Sequence, residues 1–116
     1  MSGSPPSVLL INPPITRAQR RGPLGPVFNN LYFNSPPLGI AYIAAVLERE
    51  RVPVRILDAA VEDLTEEETL ERIAAIAPDL LGITSTTNFF GNAVDLADRV
   101  KRRFPQIGRA SCRERV

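Results

Sequence analysis

Four hydroxyl side chains in succession, Thr84-Ser85-Thr86-Thr87, with Asn88 behind them, stand at the exit of an apolar run that ends Leu80-Leu81-Gly82-Ile83. Such a set offers several donors and acceptors to a polar ligand without fixed charge. The same residues also suit a plainer purpose, in which Thr87 or Asn88 caps the helix that follows and the others fill a turn. A second constellation, Asn12-Pro13-Pro14, closes the apolar run Val8-Leu9-Leu10-Ile11. Proline has no amide hydrogen to give a ladder, so this pair either ends a strand or meets a ligand. Arg17, Arg20 and Arg21 lie beyond it and suit a phosphate, a partner domain or simply a solvated loop face.

Other chemistries are argued against by the same positions. Asp58 closes the run Val52 to Leu57, where a dinucleotide-binding domain puts its ribose-binding acid, but Asn-Pro-Pro replaces the Gly-x-Gly-x-x-Gly that must follow the first strand. A phosphorylated receiver domain needs acidic residues at the end of that strand to hold a divalent cation, and none is there. No residue is singled out as catalytic, and none as a metal ligand.

Three strand-helix units must position these groups. Val8 to Ile11 and Leu80 to Ile83 are short and wholly apolar, as strands buried on both faces of a parallel sheet are. Val52 to Leu57 is the strand between them. The first helix is expected from Leu38 to Glu50, with Ile40, Ala41, Ala44 and Leu47 at helical spacing and small Gly39, Ala41, Ala44 and Ala45 allowing close approach to a sheet. The second opens with a capping box, Thr65 and Glu68, turns Leu70, Ile73, Ala74 and Ala77 inward and stops before Pro78. The third spans Phe90 to Phe104 with Ala93, Ala97, Val100 and Phe104 as its stripe. Residues 15–35, rich in Arg, Gly, Pro and Asn, read as a long loop of the kind that carries function or is disordered.

Strands separated by helices pair in parallel through right-handed crossovers. The fold class is therefore α/β, a Rossmann-like or flavodoxin-like doubly wound parallel sheet, whose pattern breaks off after Gln106 where a fourth strand is due. In the flavodoxin-like order the switch point lies between strands one and three, beyond their carboxyl ends. Those ends are Asn12-Pro13-Pro14 and Thr84 to Asn88.

The closing residues Ile107 to Val116 back-translate without a gap into the end of a common sequencing adapter, so residues 107–116 are expected to be foreign and residues 1–106 to be a partial domain. Setting them aside removes Cys112, the one cysteine, and takes their +2 from a net charge of +1, leaving −1. No thiolate metal site, disulfide or iron–sulfur cluster can then be built in residues 1–106. A charge near zero gives no support for nucleic-acid binding. The apolar fraction of 44% is ordinary for a globular chain, no run reaches the length of a membrane span, and the first residues lack the features of a signal peptide, so the expected compartment is the cytoplasm.

The run Pro36-Pro37-Leu38-Gly39-Ile40-Ala41-Tyr42, then Ile56-Leu57-Asp58-Ala59, then Pro78-Asp79-Leu80-Leu81-Gly82-Ile83-Thr84-Ser85-Thr86-Thr87 resembles the N-terminal region of cobalamin-binding radical S-adenosylmethionine proteins, over residues 8 to 106. The resemblance implies cobalamin as cofactor, held by Asn12, Pro13, Pro14, Leu38, Gly39, Thr84, Ser85, Thr86, Thr87 and Asn88. It also implies a parent enzyme of methyltransferase or ring-forming type, in which a radical domain in cis, absent from this chain, carries S-adenosylmethionine and a 4Fe-4S cluster. Residues 1–106 alone are expected to lack catalytic activity.

Cobalamin domains of the methionine synthase and mutase type carry Asp-x-His-x-x-Gly before helix one, the histidine being the lower axial ligand. Laying their glycine on Gly39 puts Asn34 and Pro36 in the places of the aspartate and histidine, and the chain has no histidine at all. Their Ser-x-Leu signature falls on Thr84-Ser85-Thr86, which keeps the hydroxyl and loses the leucine. The alternative reading is a non-catalytic Rossmann-like module that binds another small molecule or a partner through its hydroxyl loop.

Overall fold

A computed structural model describes residues 5–16, 19, 21–23, 25–26, 37–85 and 89–113, the side chains of 109–113 excepted. Its elements are β1 (Val8–Asn12), α1 (Leu38–Arg49), β2 (Val54–Asp58), α2 (Glu66–Ile76), β3 (Leu80–Ser85), α3 (Phe90–Arg103) and β4 (Gly108–Arg113). The strands form one parallel sheet in the order β2-β1-β3-β4. Parallel neighbours joined through helices are what the alternating pattern demands, and β1, the most apolar strand, takes an inner place.

The strand alternation sorts side chains between two faces. Leu9, Ile11, Leu57, Leu81 and Ile83 point to the face covered by α2 and α3, where they bury against Leu70, Ile73, Leu96 and Val100. Val8 and Leu10 point the other way, to α1, and meet Ile40 and Ala44. The α1 side is the thinner layer. Leu38 and Tyr42 on α1 are 63% and 74% exposed, and Ile56 on β2 is exposed as well.

Backbone groups are tied at both ends of the sheet. At the amino end Ser7 N–H donates to Asp79 Oδ2 at 2.8 Å and Asp79 N–H donates back to Ser7 Oγ at 3.1 Å, joining the starts of β1 and β3. Thr65 caps α2 in the expected capping box, its Oγ1 accepting from Glu68 N–H and Glu68 Oε1 from Thr65 N–H, both at 3.1 Å. Arg99 of α3 bridges to Glu66 at 2.8 Å and also to Glu67, tethering α3 to the start of α2. These two hydrogen bonds raise the Arg99 pKa above its ordinary value, Glu66 contributing most.

Several expectations are corrected. The strand after α3 lies within the chain, as Gly108 to Arg113 pairs with Leu80 to Ser85, so β3 is not left as an open edge. A ladder is made by main-chain groups, which any non-proline residues supply. For the same reason β3 runs on to Ser85, and Thr84 and Ser85 belong to the strand and not to its exit. On α1 only Ile40 and Ala44 are buried, while Gly39, Ala41 and Ala45 face solvent, and a Cβ on Gly39 would meet nothing within 4 Å. A helix apolar around most of its circumference leaves its inward face undetermined by spacing alone. Ala74 and Ala77 of the second unit are exposed, whereas Thr69 is fully buried with its Oγ1 on the Thr65 carbonyl at 2.8 Å. In α3 the stripe also includes Leu96, fully buried.

Among the described residues no helix is long and apolar enough to cross a membrane.

Candidate functional site

The carboxyl edge of the sheet gathers the candidate residues whose placement is described. Asn12, Pro13 and Pro14 leave β1 there, Thr84 and Ser85 end β3 beside it, and Leu38 and Gly39 open α1 at the same end. Thr86, Thr87 and Asn88 lie outside the described residues, as do Asn34 and Pro36. The pairings Leu10↔Gly82 and Ile11↔Ile83 put Thr84 level with Asn12 on the α1 face, whereas Ser85 belongs to the α2 and α3 face. Thr84 and Ser85 are both half-buried.

Asn12 turns toward β2. Its Nδ2 donates to Asp58 Oδ1 at 2.9 Å, and the same oxygen accepts the Val61 amide at 3.2 Å. Asp58, placed where another fold keeps a ribose acid, therefore braces two neighbouring strand exits. Pro13 and Pro14 are buried, so their rings belong as much to the interior as to a ligand surface.

Two functional candidates were missed by sequence reasoning, Gln19 and Asn92. Asn92 Nδ2 donates to the Pro14 carbonyl at 3.1 Å and to Gln19 Oε1 at 2.9 Å, and Gln19 Nε2 donates back to Asn92 Oδ1 at 3.2 Å. Gln19 also pairs with Thr16 in capping-box fashion: Thr16 N–H donates to Gln19 Oε1 at 2.9 Å and Gln19 N–H to Thr16 Oγ1 at 3.1 Å. The signal for the local part was present in Thr16-x-x-Gln19, which has the capping-box spacing of Thr65-x-x-Glu68. Nothing local announces the bond to Asn92, 73 residues away.

Two spaces adjoin this edge. On the α2 and α3 side a cavity of about 330 Å³ is lined by Pro14, Thr16, Arg21, Asp63, Thr65 and Asp95 among others. Small-molecule sites run from about 300 Å³ upward, so it suits a small ligand and not a whole corrinoid. On the α1 side α1 packs over β1 and β2, and the strip of β3 made by Leu80, Gly82 and Thr84 is only half-buried. Within this strip the Leu10 side chain packs against Gly82, where a Cβ would come 2.8 Å from Leu10 Cδ2. The strip is uncharged and carries the Thr84 hydroxyl at its carboxyl end. That chemistry fits a large ligand with a neutral, amide-rich rim, though the chain offers it no histidine as a metal ligand.

Residues 25–108 match the B12 binding domain. The chain belongs to the B12-binding domain family. The matched part of this B12-binding domain holds Leu38, Gly39 and positions 84–88, with Asn12-Pro13-Pro14 ahead of it. A relative named as an uncharacterized methyltransferase, from Pyrococcus horikoshii, is 36% identical over 96 residues, which is 81% of this chain. The chain spans 18% of that relative's length. No solved structure matches the chain.

Proposed function

We propose that this B12-binding domain holds cobalamin across the carboxyl edge of its sheet, on the α1 side of β1 and β3. The family match over residues 25–108 carries the reading, and the half-buried, uncharged strip of β3 ending in Thr84 supports it. Thr84 supplies a hydroxyl to the ligand, Leu38 and Gly39 flank it from the start of α1, and Asn12 to Pro14 bound it at β1. Ser85, Thr86, Thr87 and Asn88 complete the proposed contacts. Cobalamin, when bound, supplies cobalt-centred group-transfer chemistry, and the protein's share is binding and orientation.

The parent protein is proposed to be a radical S-adenosylmethionine enzyme, a methyltransferase or a ring-forming enzyme, with its S-adenosylmethionine and 4Fe-4S cluster in a further domain. The relative's name and the 18% of its length that this chain spans support that direction. Residues 107–116 are proposed to be foreign to it. Reading the source locus past the codon for Gln106 tests both points. A Gly-Gly turn followed by a Cys-x-x-x-Cys-x-x-Cys motif supports the parent, and genomic codons for Arg-Ala-Ser-Cys-Arg-Glu-Arg-Val sink the foreign tail.

Titration of the chain with cobalamin, followed by absorbance after removal of free ligand, tests the binding. Saturable retention of one equivalent is expected. Absence of retention overturns the reading in favour of a non-catalytic small-molecule module, for which the cavity of about 330 Å³ is the specific support.

A further inference from the structure

The geometry points to Asn92 and Gln19 as a positioning pair that sets the course of the chain as it leaves β1, an inference that rests on the proposed cobalamin site. The pair is a reciprocal amide clasp, with each side chain donating to the other at 2.9 and 3.2 Å. Asn92 spends a further hydrogen bond on the Pro14 carbonyl at 3.1 Å, and Gln19 makes two with Thr16. Three hydrogen bonds thus join α3 to Pro14 and Gln19, while two more tie Gln19 to Thr16. The three that reach α3 all pass through the Asn92 side chain.

The place of this clasp gives it more than a packing role. α3 lies on one face of the sheet, while the connection from β1 ends at α1 on the other face. The described residues that follow β1 are therefore held toward α3. The β1 exit and the end of β3 flank the switch point, so the backbone at Pro13 and Pro14 is a wall of the proposed site. Proline carbonyls there cannot be held by a neighbouring strand once the ladder has ended, and Asn92 supplies the missing donor to Pro14. A donor and an acceptor on one amide head are both required, which aspartate or leucine at position 92 cannot reproduce.

The test compares Asn92→Ala, Gln19→Ala and the double variant with the wild-type chain by cobalamin titration and by limited trypsin digestion at the exposed Arg21–Gly22 bond. Asp79→Ala, which loosens the opposite end of the sheet, serves as the control for stability alone. Each single variant is expected to weaken cobalamin binding roughly 2- to 10-fold, the range that one net hydrogen bond spans, and to speed cleavage after Arg21. The double variant is expected to be no worse than Asn92→Ala, since the clasp needs both partners. Asp79→Ala should lower the thermal midpoint and leave cobalamin affinity unchanged. Should Asn92→Ala fail to fold, Gln19→Ala carries the test by itself. Unchanged affinity in the variants overturns the positioning role, even if trypsin cuts faster. A wild-type chain that retains no cobalamin overturns the functional reading, and this inference with it.

Discussion

Asn12 and Asp58 join the exits of the two neighbouring strands β1 and β2 side chain to side chain, Nδ2 to Oδ1 at 2.9 Å, while the Val61 amide donates to the same carboxylate oxygen at 3.2 Å. Main-chain pairing continues the brace, with Ala59 N–H on the Asn12 carbonyl at 3.1 Å. Asp58→Ala removes both side-chain bonds and is expected to cost about 1.5–3 kcal/mol, the usual worth of hydrogen bonds to a charged group. Asp58→Asn keeps an acceptor oxygen and should cost less. Urea unfolding of the two variants checks the order, and equal losses would mean that the bond geometry contributes nothing.

Gly82 faces Leu10 across the β1–β3 pair on the thinly covered side of the sheet. Because a Cβ at position 82 would lie 2.8 Å from Leu10 Cδ2, Gly82→Ala should force that side chain to move, at a cost of about 1–3 kcal/mol for overpacking. Shortening the neighbour makes room. The double variant Gly82→Ala/Leu10→Val should be more stable than the sum of the two single effects, as a thermal-denaturation cycle will show.

Both ends of α2 offer changes of opposite sign. Thr65→Ala breaks the capping box and should destabilise by about 0.5–2 kcal/mol. At the other end Ala77 is left-handed, φ 50 and ψ 57, a conformation costing an ordinary residue roughly 1–2 kcal/mol. Glycine there loses roughly 0.5–1 kcal/mol in chain entropy. Ala77→Gly should therefore raise stability by about 0.5–1 kcal/mol, and a fall in the urea midpoint would contradict the left-handed cap.

Thr84→Val keeps the side-chain shape and deletes the hydroxyl. Loss of one hydrogen bond should weaken cobalamin binding by about 0.5–1.5 kcal/mol, read by titration, and unchanged affinity would remove Thr84 from the site.

Since the chain has no histidine, it can donate no imidazole to cobalt. Spin resonance of the reduced cobalt(II) form bound as cobinamide, which lacks its own base, is expected to show no nitrogen triplet splitting. Triplets that persist would mean that another nitrogen of the protein reaches the metal.

Much of this molecule is local in origin and was legible in the residues. Apolar runs bounded by proline and polar turns, Thr65 with Glu68, and the alternation of strand and helix each depend on neighbours within one turn or one strand, so spacing alone carries them. From that alternation the parallel sheet follows, and the pairing of the β1 and β3 exits follows once the flavodoxin-like order is taken, which the observed order β2-β1-β3-β4 matches. What only the tertiary structure decided is everything that joins distant segments or chooses between equally apolar faces. Spacing around α1 does not select Ala44 over Ala41 or Ala45, because apolar residues surround most of that helix, and the sheet makes the selection. The ladder carried β3 through Ser85 because main-chain donors and acceptors pair without regard to side-chain type. Asn12 with Asp58 and Gln19 with Asn92 are 46 and 73 residues apart, and polar side chains have no period by which such partners announce one another. Their hydrogen bonds exist only once the hydrophobic layers on the two faces of the sheet have brought strand exits and helix starts to one edge.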